Sequence, residues 1–184
     1  MINNIFILLF LFLFLSCSTK EKKINDIVKT WSGKEITLPQ YLNADSINQD
    51  SIWLQLVRKK FKILTIVDSN ECTECRLKLF NWRLFIQEMD SLQADVSFLF
   101  IIYPNNKSFL TELKEKNKFQ YPIFYDDKRQ TMKINNFPQH PLFKTFLLDK
   151  NNKVLLIGDP SNKPPLWNLY KQIITEKLEP RSPH

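Results

Sequence analysis

The apolar and polar positions divide the chain into a leader and an alternating body. Ile5 to Leu15 (IFILLFLFLFL) is an unbroken apolar run, too short to span a bilayer comfortably and right for the core of a secretory signal. Ser18 to Lys29 is polar and charged and reads as a tether. Trp31 to Pro39 (WSGKEITLP) predicts a short extended or hairpin element around Gly33. The stretch to Lys60 is ambiguous, with Ile52 to Val57 either helix or strand. From Phe61 the pattern sharpens. Ile63 to Val67 is a β-branched run expected as a buried strand, and Asp68-Ser69-Asn70 is a turn cluster able to cap a helix. Cys75, Leu79, Trp82, Ile86 and Met89 then recur at steps of four and three. Arg76, Arg83, Gln87 and Asp90 fall opposite, which predicts one amphipathic helix from about Cys72 to Ser91.

Val96 to Ile102 is nearly all apolar, as a strand covered on both faces should be. Asn106 to Lys116 reads as a charged surface helix, Tyr121 to Tyr125 as a strand and Lys128 to Ile134 as a short helix. Thr145 to Leu148 and Val154 to Ile157 flank a polar turn and form a hairpin. Pro164-Pro165 opens a last helix, Leu166 to Lys177. The order β-α-β-α-β-α-β-β-α predicts an α/β fold, a mixed sheet with helices on both faces and an N-terminal extension. One domain is expected over residues 30–178, followed by a polar tail at 179–184.

Composition narrows the chemistry. Among 184 residues there are two glycines, Gly33 and Gly158, so no Gly-rich phosphate loop, dinucleotide fingerprint or nucleophile elbow can be written. The two histidines, His140 and His184, exclude a two-histidine zinc helix. Lys and Arg number 26 against 19 Asp and Glu, but the excess is diffuse. Lys20, Lys22 and Lys23 suit an anionic membrane surface or a solvated face, and no basic-aromatic stripe marks a nucleic-acid partner.

Phe14-Leu15-Ser16-Cys17 closes the apolar run with a small residue and a cysteine, and resembles the lipobox of bacterial lipoproteins. The resemblance implies removal of residues 1–16, lipid on Cys17, and a tether at 17–29 holding a periplasm-facing protein to a bacterial membrane. The leader has no Lys or Arg before the run, and Phe14 stands where Leu is usual; a plain signal peptide or an uncleaved anchor is the other reading. In each case the body is exported, where thiols are not held reduced by default.

That context bears on Cys72-Thr73-Glu74-Cys75, which falls where a strand ends and a helix is expected to begin. A thiolate there meets unpaired backbone N–H groups and the positive end of the helix dipole, which lower its pKa. Cys72 would then be the attacking sulfur and Cys75, on the apolar stripe, the resolving one. Other readings remain. The main alternative is a purely structural disulfide. Zinc would need two further ligands, for which only the histidines offer. Covalent haem needs His where Arg76 stands.

IVDSNECTECRLKLFNW and TFLLDKNNKVLLIG together resemble the thioredoxin superfamily, more closely its exported, membrane-anchored TlpA/ResA-like branch. The resemblance covers roughly residues 30 to 178, with an inserted strand and helix at about Tyr121 to Ile134. It implies thiol–disulfide exchange with protein disulfides, electrons from a dithiol partner and no small cofactor or metal. Substrate contacts would come from Glu71, Thr73, Glu74 and Phe143. Phe143 stands where the family carries a cis-proline, Ile66 where thioredoxins bury an acid, and Glu71 where Trp is usual. A peroxidase pattern is met by Ser69 but broken by Thr65 in place of proline. Asp68, Glu71 and Glu74, opposed chiefly by Arg76 and Lys78, disfavour a thiolate. They predict a reducing couple, nearer about −270 mV than about −120 mV.

The rival reading is a non-catalytic thioredoxin-like module for binding or redox sensing, with Cys72–Cys75 as a staple. Trp82, Phe98, Phe100 and Phe146 are expected in the core, Trp31, Trp53 and Tyr41 packed over the sheet edge or else lining a substrate groove, and His140 in a surface loop.

Overall fold

The computed structural model describes residues 21–44, 51–68, 77–103 and 107–176. Within them six strands form one sheet. Three parallel strands make its centre: β2 (Phe61–Val67), β3 (Val96–Ile102) and β4 (Ile123–Tyr125). β1 (Asn43–Ala44) lies antiparallel on β4 at one edge, and β5 (Thr145–Leu148) lies antiparallel on β2 at the other. β6 (Val154–Ile157) completes the hairpin, giving the order β1-β4-β3-β2-β5-β6. Residues 33–36 continue the sheet beyond β6: Gly33 N–H donates to Val154 O at 2.8 Å, and Ile36 N–H to Asn152 O at 2.9 Å.

β2 is buried along all seven residues because it has strands on both sides and helices on both faces. It carries a lysine, Lys62, that is wholly enclosed. The Lys62 ammonium escapes along its stem to the carbonyls of Lys59 (3.3 Å) and Lys150 (3.2 Å). Burial pushes its pKa down, against the pull of Asp149 and Asp95.

Steps β2 to β3 to β4 run in one direction across the sheet. Right-handed crossovers therefore place their connecting helices, α3 (Leu79–Ser91) and α4 (Lys107–Lys116), on one face. α6 (Pro164–Glu176) joins them, and its Trp167, Tyr170 and Ile174 fill the same core. Trp82 of α3 is its centre, edge-on to Phe98 at 6.0 Å and to Phe100 at 5.5 Å. Glu88 ties α3 to α6, accepting from Lys171 Nζ at 2.6 Å and Trp167 Nε1 at 2.7 Å.

The other face carries α1 (residues 21–31), α2 (Ile52–Val57) and α5 (Gln130–Asn135). Trp31 stacks on Phe137, and Trp53 meets Phe124 edge-on at 4.8 Å while its Nε1 donates to Pro39 O. Both pack into the core on this face, whereas Tyr41, expected beside them, stays exposed.

Residues 21–29, within the segment expected as a tether, are helical; Ile27 and Trp31, four apart, turn one side of α1 to the core. Ile52 to Val57 resolves as helix. β3, β5 and β6 have the bounds that the apolar runs predict. The long amphipathic helix does not. α3 begins at Leu79, because Lys78 is left-handed (φ 42°, ψ 49°) and interrupts any continuous helix through it. The apolar period holds at Leu79, Trp82, Ile86 and Met89, all buried; Leu77 before the break is helical and buried too, and the expected start at Cys72 lies outside the described residues.

Candidate active site at the carboxyl edge of the sheet

β2 delivers the chain to the sheet edge between two neighbours. On one side, Tyr103 N–H, just past β3, donates to Val67 O at 3.0 Å. On the other, Thr65 faces Thr145 with their hydroxyls 3.4 Å apart, and Ile66 N–H donates to Lys144 O at 2.9 Å. The antiparallel register therefore sets Phe143 alongside the exit of β2. Cys72, Cys75, Glu71, Thr73 and Glu74, the site residues expected just beyond, lie outside the described residues, as does the lipidation candidate Cys17.

Phe143 ends a short 3₁₀ turn, Pro141–Phe143, closed by its N–H on His140 O at 3.0 Å. It is half-buried, its ring 5.4 Å from that of His140, and the described residues contain no cis peptide. With Leu142 and Gly158 it lines one wall of a mainly apolar groove of about 590 Å³, and Ile24, Ile27 and Val28 of α1 line the other. Ile24, Val28 and Leu142 keep more than a third of their surface exposed there. His140, expected on a surface loop, is exposed on the rim.

The wall behind Phe143 is rigid. Gly158 N–H donates to Thr145 O at 2.8 Å, Asp159 N–H to Leu142 O at 3.2 Å, and Tyr170 Oη to Gly158 O at 2.9 Å. Gly158 has φ +128°, a conformation that favours glycine, and a Cβ there would meet Leu166 Cδ2 at 3.2 Å and oblige that side chain to give by a few tenths of an ångström. Burial, reinforced by Asp159, raises the Tyr170 pKa well above that of a free phenol, which keeps this hydrogen bond donating at any physiological pH.

The charges at this edge are wired differently from the expectation. Asp68 is met by Arg129, which follows β4 two strands away, Nη2 to Oδ1 at 2.8 Å. The Arg129 guanidinium also lies over the Tyr103 ring at 4.3 Å. Lys78, expected to oppose the acids near the cysteines, reaches instead to Asp159 at 3.5 Å. Asp126, three residues before the N-cap Arg129, satisfies the first amides of α5, its two oxygens accepting from the N–H groups of Gln130 and Thr131 at 2.8 Å each. Arg129 was not legible as a site residue. The available signal was its place just after β4, since residues following the carboxyl ends of neighbouring parallel strands gather at one edge. Ile66, where thioredoxins bury an acid, is buried in the second core.

No cluster of His, Cys, Asp and Glu suited to a metal occurs among the described residues, and no described helix is long and apolar enough to cross a membrane. No protein-family model and no curated protein sequence matches the chain. Solved structures do. A candidate protein disulfide isomerase from Bacteroides thetaiotaomicron aligns at TM-score 0.56 and 15% identity over 77% of this chain and 87% of that one. A candidate thiol:disulfide interchange protein DsbE from Chlorobium tepidum aligns at 0.51 and 17% over 68% and 85%. Peroxidoxin BcpB from Mycobacterium tuberculosis aligns at 0.56 and 13% over 81% and 98%. With the strand order and the helices on both faces, these likenesses establish the thioredoxin-like fold expected from the sequence.

Proposed function

We propose that the protein is an exported, lipid-anchored thiol–disulfide oxidoreductase acting on protein disulfides through Cys72 and Cys75. The observation that carries the reading is the β2–β5 register. The chain leaving β2 toward Cys-x-x-Cys starts beside Phe143, the position a thioredoxin-like site uses against substrate backbone, at the carboxyl edge of the sheet. The mainly apolar groove next to Phe143 offers a contact surface for the apolar side chains of a protein substrate.

In this reading the Cys72 thiolate attacks one sulfur of a substrate disulfide and expels the other as a thiolate, leaving a mixed disulfide. The Cys75 thiolate then attacks Cys72 Sγ, releases the second substrate sulfur and closes Cys72–Cys75. Two electrons pass from the protein dithiol to the substrate, and a partner dithiol restores the pair by the reverse exchange. No small cofactor is needed. Glu71, Thr73 and Glu74 would flank the substrate, and Cys17 would hold the protein to the periplasmic face of a bacterial membrane.

Phe143 in place of the family's proline favours a second reading, a thioredoxin-like binding or sensing module whose Cys72–Cys75 bond is structural. Thiol labelling across a redox-buffer series, followed by disulfide reduction with Cys72→Ser as control, separates them. Reversible titration with activity lost in the variant supports turnover. A pair that stays oxidised, or activity indifferent to the substitution, supports the module.

A further inference from the structure

Large apolar side chains are exposed on both helical faces of the sheet. One face shows Phe80, Leu84, Phe109 and Leu169; on the other, α1 shows Ile24 and Val28, 38% and 40% exposed at the rim of the groove. Charge separates the two. Helices α3, α4 and α6 balance five basic residues against five acidic ones, whereas the stretch from Lys20 to Lys29 carries four lysines against Glu21 and Asp26. Lys22, Lys23 and Lys29 are exposed, and none of them pairs with a carboxylate among the described residues.

The pattern of α1 leaves this edge open. Ile24, Ile27, Val28 and Trp31 fall on one stripe, at steps of three, one and three. Ile27 and Trp31 pack against the core, and Ile24 and Val28 carry the stripe past it into solvent. The position of α1 in the chain points to what covers that excess. Glu21, where α1 is first described, follows Cys17 by four residues and Leu15, the end of the apolar run, by six. Such lengths span at most about 14 to 21 Å. Whether lipid on Cys17 or an uncleaved run holds the chain, a bilayer surface lies within that reach of α1.

We propose that α1 is an interfacial helix, its Ile24–Val28 edge entering the headgroup layer of an anionic bilayer and its lysines meeting the lipid phosphates. The domain is thereby held on the membrane in one orientation instead of swinging freely on its tether. The inference rests on the membrane-anchored part of the reading above and adds an orientation to it.

The test uses the full-length protein as cells process it, in vesicles of phosphatidylethanolamine and phosphatidylglycerol with a trace of photoreactive phosphatidylcholine. Adducts are mapped by peptide mass, and the yield on residues 21–31 is compared between samples. Ile24→Ser/Val28→Ser is expected to lower it about fivefold, and Lys22→Gln/Lys23→Gln/Lys29→Gln or vesicles of phosphatidylcholine alone about threefold. Anchoring by itself labels α1 through proximity, and that labelling is indifferent to the serine pair and to lipid charge. An unchanged yield in either comparison therefore overturns the proposal and leaves the edge to a soluble protein partner. Circular dichroism checks folding. If the serine pair fails to fold, the lysine variant and the change of lipid, made on the unaltered chain, decide the question.

The mass of the Cys17 peptide is read in the same digest. Lipid on Cys17 with an indifferent α1 yield removes the docking and keeps the anchor. An unlipidated chain whose α1 is labelled with the same serine and lipid dependence keeps the docking and removes the lipid anchor. An unlipidated chain left unlabelled removes both.

Discussion

The Ile66 amide donates to the Lys144 carbonyl at 2.9 Å, one residue beyond the Thr65–Thr145 pair that ends the β2–β5 ladder. That single bond extends the antiparallel register to the sheet edge and leaves Phe143 as the first β5-side residue past it. The ring is therefore positioned by main-chain hydrogen bonding as well as by its packing against the core on that face, and it stays half-buried where it lines the groove.

A partner segment lying in that groove would cover the Phe143 ring. Phe143→Ala is expected to lower kcat/KM for a protein disulfide about tenfold, corresponding to roughly 1.4 kcal/mol of lost apolar contact. Reduction of a small aromatic disulfide reagent should stay within about twofold. Equal losses on both substrates would mean that Phe143 acts on the cysteines and not on the partner.

Trp82 has no exposed surface and stands among the rings of Phe85, Phe98 and Phe100. Trp82→Ala should cost about 3–5 kcal/mol, by lost transfer energy and the cavity left behind. Its indole Nε1 is buried with no hydrogen-bond partner among the described residues, so Trp82→Phe removes an unsatisfied donor along with the volume. The phenylalanine variant is expected within about 1.5 kcal/mol of wild type. Urea denaturation with an unchanged m-value checks both. A phenylalanine variant as unstable as the alanine one would show that the indole volume alone matters.

The sheet was legible where burial alone shapes the sequence. β3, β5 and β6 are read off directly because each is an uninterrupted apolar run flanked by polar turn residues. Asn43–Ala44 is too short to show any period, and it becomes a strand only through pairing with Tyr125 and Phe124. The interruption at Lys78 was not visible because it is a backbone conformation at a residue whose type favours helix. The helical character of residues 21–31 was masked by polarity, although Ile27 and Trp31 already carried the spacing. At the site, the cysteine pair was visible as a motif, but Asp68–Arg129 joins residues whose proximity depends on strand order.

Glu88 links α3 to α6 and supplies a pH test. Burial by itself would raise its pKa, but the hydrogen bonds from Lys171 and Trp167, with the Lys171 charge, outweigh burial and lower it. A lowered folded value means that folding favours the carboxylate. The contribution is fully present above the ordinary glutamate range, near about 4.3, and is lost as pH falls through the folded value. Both side chains remain about a third exposed, so the gain is modest, within about 1 kcal/mol. Melting temperatures of wild type and Glu88→Gln should differ at pH 7 and converge in acid. A gap that persists unchanged below pH 3 would contradict the assignment.

Lys62 behaves in the opposite sense. Its folded pKa is lowered chiefly by burial, so folding disfavours the ammonium. The resulting penalty is present at neutral pH, recedes as pH rises through the folded value, and is gone above the ordinary lysine range near about 10.4. The carbonyls that receive the ammonium belong to Lys59 and Lys150, both exposed, so water can replace it there. Lys62→Met keeps the buried stem's volume and removes the charge. It is expected to stabilise the fold by about 1–2 kcal/mol at pH 7, in line with other replacements of buried charge by apolar groups. The advantage over wild type should shrink in urea titrations as pH rises toward the ordinary lysine range near about 10.4. A destabilised variant would show instead that the two carbonyl hydrogen bonds outweigh the cost of enclosing the charge.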